Sequence, residues 1–173
     1  CHGFMMIRAV SCKQANLSQR HKPRANDRVM GYSIGMDAAR EIRNLALTGF
    51  MGTGKSTVGR QVARELGFEF ADTDNLVEEL AGVSIAEIFS QSGEAVFRKM
   101  ERDVVAQLVH RDDTVIAAGG GLVVDPANLE SLRTHALVVC LWASSETIWQ
   151  RCRTQTHRPL LHDPDPQARI REL

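Results

Sequence analysis

What this chain lacks narrows its class before any motif is read. Its four cysteines (Cys1, Cys12, Cys140 and Cys152) are scattered, with no C-x-x-C pair and no metal-ligand spacing. A reducing, cytosol-like compartment is the simplest setting for them. The six histidines share no metal spacing either, and they read as surface or loop residues. No uninterrupted apolar run is long enough to cross a bilayer, so no membrane partner is expected. Lys plus Arg and Asp plus Glu stand at 21 each. A neutral chain lacks the basic excess of a nucleic-acid binder, and none is expected as a partner. Internal repeats are absent too.

With 173 residues and 43% hydrophobic content, the chain suits one α/β domain around one core. Charge is unevenly spread. Residues 1–36 carry Arg8, Lys13, Arg20, Lys22, Arg24 and Arg28 against Asp27 alone, so the remainder is net acidic. This leader has no sustained periodicity, and no aromatic residues interleave with its charges as in a nucleic-acid-binding arm. It reads as a disordered segment, a transit-like peptide, or sequence upstream of a true start at Met36. The domain is expected over 37–173. Its location would be the cytoplasm, or a plastid if the leader is a transit peptide.

From residue 44 onward strand and helix signals alternate, as in βαβ units around a parallel sheet. Strands are expected at 45–48, 68–72, 115–118 and 136–142. The last is continuously apolar, which reads as burial on both faces. Ser84-Ile-Ala-Glu87 is a capping box opening a short helix that Gly93 ends. A longer helix then carries Phe97, Met100, Val104, Val105 and Leu108. Ser144 or Ser145 caps a helix through Ile148 and Trp149. Both tryptophans, Trp142 and Trp149, follow apolar patterns and read as core.

The most specific signal is Gly49-Phe-Met-Gly-Thr-Gly54-Lys55-Ser56, which matches G-x-x-x-x-G-K-[ST] without a mismatch. Glycines let backbone N–H groups turn inward around phosphates, the lysine meets the β/γ-phosphates, and the Ser hydroxyl can join a Mg²⁺ shell. The apolar Leu45-Ala-Leu before it and the helical spacing of Val58, Val62, Ala63 and Leu66 after it supply the strand–turn–helix context. Gly67 stands at the helix C-cap. The plain alternative, a glycine-rich turn, does not require that context.

Three further constellations carry chemistry. Asp72-Thr73-Asp74 ends the second strand, where i and i+2 of extended chain face one way, toward the edge at which open α/β sheets bind ligands. Asp72 is placed to help hold Mg²⁺, and Asp74 to accept hydrogen bonds from a substrate hydroxyl. Alternatively, an aspartate here only caps a helix starting near Asn75. Arg98, with Glu94 and Glu101 at i−4 and i+3, is either a solvated ion-pair face or a planar fork for a carboxylate. Gly119-Gly120-Gly121 follows a buried strand and lets a ligand touch the backbone. Arg151 and Arg158, beside a Pro-containing loop, are either solubilising charges or groups that stack on adenine and stabilise a transferring phosphoryl.

Together these motifs resemble the shikimate kinase family over roughly residues 44–173. The matching runs are G-F-M-G-T-G-K-S-T-V-G-R from Gly49, A-D-T-D at 71–74, S-I-A-E-I-F from Ser84, G-E-A-V-F-R through Arg98, A-G-G-G at 118–121 and R-P-L-L from Arg158. The resemblance implies a three-layer P-loop kinase fold with a parallel sheet. It also implies transfer of the ATP γ-phosphoryl to the 3-hydroxyl of shikimate by a monomer. Carried over, Gly52, Thr53, Gly54, Lys55, Ser56 and Thr57 cradle ATP, and Ser56 and Asp72 serve Mg²⁺. Asp74, Arg98 and Gly120 hold shikimate, Glu101 orients Arg98, and Phe89, Phe97 and Pro159 wall the pocket. Arg158 is the lid arginine and Arg151 the adenine-stacking one; Lys55, Asp74 and Arg158 are the catalytic set. The family continues with R-x-P-x-Y, a fifth strand and a final helix, none of which these residues match. Four of five strands are therefore expected, with the fourth an exposed apolar edge. The rival readings are a gluconate-type kinase on the same fold and a kinase-like metabolite sensor of a regulator. Asp74, Arg98 and the triple glycine argue against the first, and intact Lys55, Ser56 and Asp72 against the second.

Overall fold

The computed structural model describes residues 42–153, the backbone of residues 6–9, and positions 168 and 170. The strands are β1 (Met6–Ala9), β2 (Asn44–Thr48), β3 (Glu69–Asp72), β4 (Thr114–Ala117) and β5 (Ala136–Trp142). The helices are α1 (Lys55–Leu66), α2 (Thr73–Ala81), α3 (Ile85–Leu108), α4 (Pro126–His135) and α5 (Ser145–Cys152), with a 3₁₀ turn at Leu122–Val124. The sheet order is β1-β5-β2-β4-β3. β2, β3, β4 and β5 run parallel, as the alternation of elements requires.

Side chains alternate along the parallel strands and so build two cores. Ala46, Ala71, Ile116 and Val138 face α2, α3 and α4, packing with Val77, Val104, Val105, Leu108 and Leu132. Leu47, Val115 and Leu141 face the opposite layer, against Ala63 of α1. Helix, sheet, helix is the three-layer arrangement expected of the family. Gly59 lets α1 approach β3 closely, since a Cβ there would lie 2.7 Å from Phe70 Cε2. At the opposite end of the strands, buried Asn44 receives the Thr114 N–H at 2.9 Å and donates to the Arg111 carbonyl at 2.6 Å, which fastens β2 to the turn before β4.

Local signals hold where they rest on caps. Ser84 and Glu87 form the capping box, Gly67 closes α1 at φ 69, and Ser144 rather than Ser145 caps α5. Gly93, at φ 78 and ψ 173, breaks α3 into two helical segments.

Four expectations are corrected. β5 is not buried on both faces along its length: Leu137 is 38% and Trp142 54% exposed, near its two ends. Trp142, at the strand's end, is therefore not core. The outer edge of β5 is not bare either, since β1 pairs with it antiparallel from Met6↔Trp142 to Ala9↔Val139. Finally, His135 is buried, with its Nδ1 3.0 Å from Asn44 Nδ2.

Candidate active site

The loop after β2 turns back on itself around Lys55. The Lys55 ammonium donates to the Gly49 and Phe50 carbonyls at 2.8 and 3.0 Å, closing a ring of backbone about the charge. Thr53, 1% exposed, donates its hydroxyl to the Phe50 carbonyl at 2.7 Å. Gly52 takes φ 73, and a Cβ there would meet Cys152 Sγ of α5 at 2.5 Å, so neither backbone nor space admits a side chain. Arg151 of α5 donates to the Gly52 and Thr53 carbonyls at 3.1 and 3.3 Å, bracing the loop from outside.

One Asp72 carboxylate serves two neighbours. Oδ2 accepts from Ser56 Oγ at 2.7 Å, and Oδ1 accepts from the Asp74 N–H at 3.2 Å as the N-cap of α2. Asp74 therefore sits in the first turn of a helix and not in the strand, so the strand alternation does not orient it. Both carboxylates nevertheless line the same cleft of about 490 Å³ with Gly52, Lys55, Ser56 and Arg151. Gly54 and Thr57 of the loop and Gly120 line it too.

Beside the cleft stands a second cluster on α3. Arg98 Nε and Nη2 both donate to Glu94 Oε1, at 3.2 and 3.0 Å, and Nη1 donates to Glu101 Oε2 at 2.8 Å. The Glu94 contact is exposed and worth little. The Glu101 side chain, by contrast, is only 3% accessible. Burial pushes its carboxyl above the ordinary value, and the Arg98 hydrogen bond offsets part of that push. The Arg98 guanidinium is raised in turn, chiefly by its hydrogen bond to Glu101. Phe97 packs its ring 4.8 Å from that of Phe89 and lies 5.3 Å beneath the guanidinium carbon.

The glycine run joins the two groups. A Cβ on Gly121 would lie 2.9 Å from Arg98 Nη1, and one on Gly119 would collide with the Asp74 carboxylate. Gly120 meets only the Met51 N–H nitrogen at 3.8 Å. Sequence reasoning singled out Gly120 of the three, yet it is the outer two that the Asp74 and Arg98 side-chain ends crowd. It passed over Thr73, whose buried hydroxyl accepts from the Gly119 N–H at 2.7 Å. Its position between two aspartates at a strand end was the available signal. Arg158 and Pro159 lie outside the described residues.

A cleft of backbone amides and a lysine, a hydroxyl–carboxylate pair, and an aspartate beside an arginine fork together suit phosphoryl transfer to a small hydroxy acid. Comparison with known proteins agrees. The sequence profile of the shikimate kinase family matches residues 51–173. The shikimate kinase of Caldanaerobacter subterraneus subsp. tengcongensis is 48% identical over 132 residues, which is 76% of this chain and 77% of that protein. Among solved structures, the shikimate kinase from Acinetobacter baumannii in complex with shikimate has a TM-score of 0.71 at 38% identity, covering 77% of this chain and 74% of that one. The Bacteroides thetaiotaomicron shikimate kinase has a TM-score of 0.68 at 31% identity, covering 74% and 73%. The chain belongs to the shikimate kinase family.

Proposed function

We propose that this chain transfers the γ-phosphoryl group of ATP to the 3-hydroxyl of shikimate, with the donor held by Gly52–Thr57 and the acceptor by Asp74, Arg98 and Gly120. The observation that carries the assignment of roles is the meeting of Asp74 and the phosphate-binding loop in one cleft, with Arg98 standing one glycine away. Lys55 keeps a positive charge at the mouth of the loop, where charge builds on the transferring group. Asp74 accepts the hydrogen bond of the reacting hydroxyl and so orients it or takes its proton. Arg98, steadied by Glu101, faces the acceptor carboxylate, and Phe89 and Phe97 wall that end. Arg151 lines the donor cleft, consistent with a place beside the adenine. Catalysis of this kind is mainly positioning and charge stabilisation.

Ser56 Oγ and Asp72 Oδ2 form an oxygen pair 2.7 Å apart, a donor set that suits Mg²⁺, which keeps several waters and takes one or two protein oxygens. When bound, Mg²⁺ would neutralise charge on the phosphate oxygens. No helix among the described residues is long and apolar enough to cross a membrane; a cytoplasmic location is part of the same proposal. A monomer acting on a small molecule completes the reading.

A coupled ADP-release assay tests it. Shikimate is expected to be the preferred acceptor over gluconate, and Asp74→Asn to lower kcat by roughly 10²-fold while ATP still binds. Preference for gluconate, or no response to either acid, would sink the assignment.

A further inference from the structure

We infer that Thr73 is a positioning residue for the acceptor side: its hydroxyl holds the Gly119–Gly121 loop where its two outer glycines set the separation of Asp74 and Arg98. The inference rests on the reading of those two side chains as acceptor anchors. Thr73 is 1% exposed and does not line the cleft, so it acts through the loop and not on a ligand. Its Oγ1 accepts from the Gly119 N–H at 2.7 Å, across 46 residues of sequence. Beside that bond, a Cβ on Gly119 would overlap Asp74 Oδ1, so the carboxylate end would have to turn away from the loop. Two residues on, a Gly121 Cβ would stand 2.9 and 3.3 Å from the Nη atoms of Arg98. Gly121 has an ordinary φ of −101, so its requirement is space in front of the guanidinium and not backbone freedom. The loop thus abuts the hydroxyl-binding group at one end and the carboxylate-binding group at the other. Its placement sets the length of hydroxy acid that reaches both. Because Thr73 adjoins both Asp72 and Asp74, the same residue that starts α2 registers the loop to the acceptor.

The test is steady-state kinetics of the full chain with shikimate and with its carboxamide as acceptors. Thr73→Val keeps the shape and removes the acceptor oxygen, and Thr73→Ser keeps the oxygen. Thr73→Val is expected to raise the shikimate KM by about tenfold with the ATP KM unchanged, and Thr73→Ser to stay near wild type. Gly121→Ala is expected to shrink the preference for shikimate over the carboxamide by about tenfold, by crowding the carboxylate fork. An unchanged shikimate KM in Thr73→Val, or equal damage from both Thr73 variants, overturns the inference. If Thr73→Val does not fold, an undiminished preference in Gly121→Ala overturns it alone. Asp74→Asn separates the two levels. Normal shikimate kinetics in that variant would remove the anchor reading itself, whereas impaired kinetics beside a silent Thr73→Val would remove only the positioning role.

Discussion

The phosphate-binding loop and the proposed acceptor cluster are built on opposite plans. The loop is a consecutive stretch, Gly49 to Ser56, and Lys55 and Thr53 tie it to its own Gly49 and Phe50 carbonyls, while Arg151 and Asp72 hold it from outside. The acceptor cluster draws on the start of α2, the middle of α3 and the loop after β4, and exists only once the sheet has brought them together. A local device carries its geometry in its own backbone. A dispersed one depends on the core, and on glycines that admit neighbours. Phosphate is the same in every nucleotide, so the donor side is served by a portable motif. The acceptor differs from enzyme to enzyme, and its site is assembled from side chains that can change separately.

That contrast can be broken by substitution. The largest effect is expected from Lys55→Ala, which removes the charge on the donor side. Its kcat should fall by roughly 10²- to 10³-fold, while calorimetry finds shikimate bound as in wild type. Arg98→Ala should do the reverse, raising the shikimate KM by about 30-fold or more through loss of a charge-assisted pair, with the ATP KM kept. If each variant damaged both substrates equally, the division into two plans would fail.

The smallest expected effect is a pH dependence. Burial raises the folded-state Glu101 carboxyl above its ordinary value of 4.5, so the folded protein holds this proton more tightly than the unfolded chain. The stability that this proton binding contributes is full below about 4.5 and is lost as pH rises through the raised folded value. Glu101→Gln lacks that titration. Melting profiles from pH 4 to 8 should therefore show the variant gaining on wild type as pH rises through this window. A constant offset would mean that the carboxyl is not raised.

Legibility in the sequence followed the same division. The loop, its flanking strand and helix, the capping box at Ser84 and the break at Gly93 depend on neighbours in sequence, and all stand where their patterns place them. Asp72, Asp74 and Arg98 were visible as chemistry, but Asp74 reaches the cleft from a helical turn and not from strand alternation. Thr73 received no role from the sequence because its partner, Gly119, is a backbone group 46 residues away. The apolar run of β5 reads as burial on both faces, because hydropathy does not report which residues of a strand other elements cover. In the sheet it pairs with β2 on one side and the short β1 on the other, leaving Trp142 in solvent. His135 likewise reads as polar surface until Asn44 is brought beside it.

Gly93 has a mechanical consequence. Nothing lies within 4 Å of a Cβ there, so the backbone alone favours glycine at φ 78. The break turns a 24-residue rod into a short arm and a long post. The post is bolted into the core through Phe97, Val104, Val105 and Leu108. The arm carries Phe89, 41% exposed, whose contact with the Phe97 ring spans the break. The arm has its own anchors, Ile88 buried in the core and the Ile85 N–H donating to Glu78 at 2.9 Å. The proposed aromatic wall of the acceptor end is thus assembled from two helical segments whose relative direction one glycine sets.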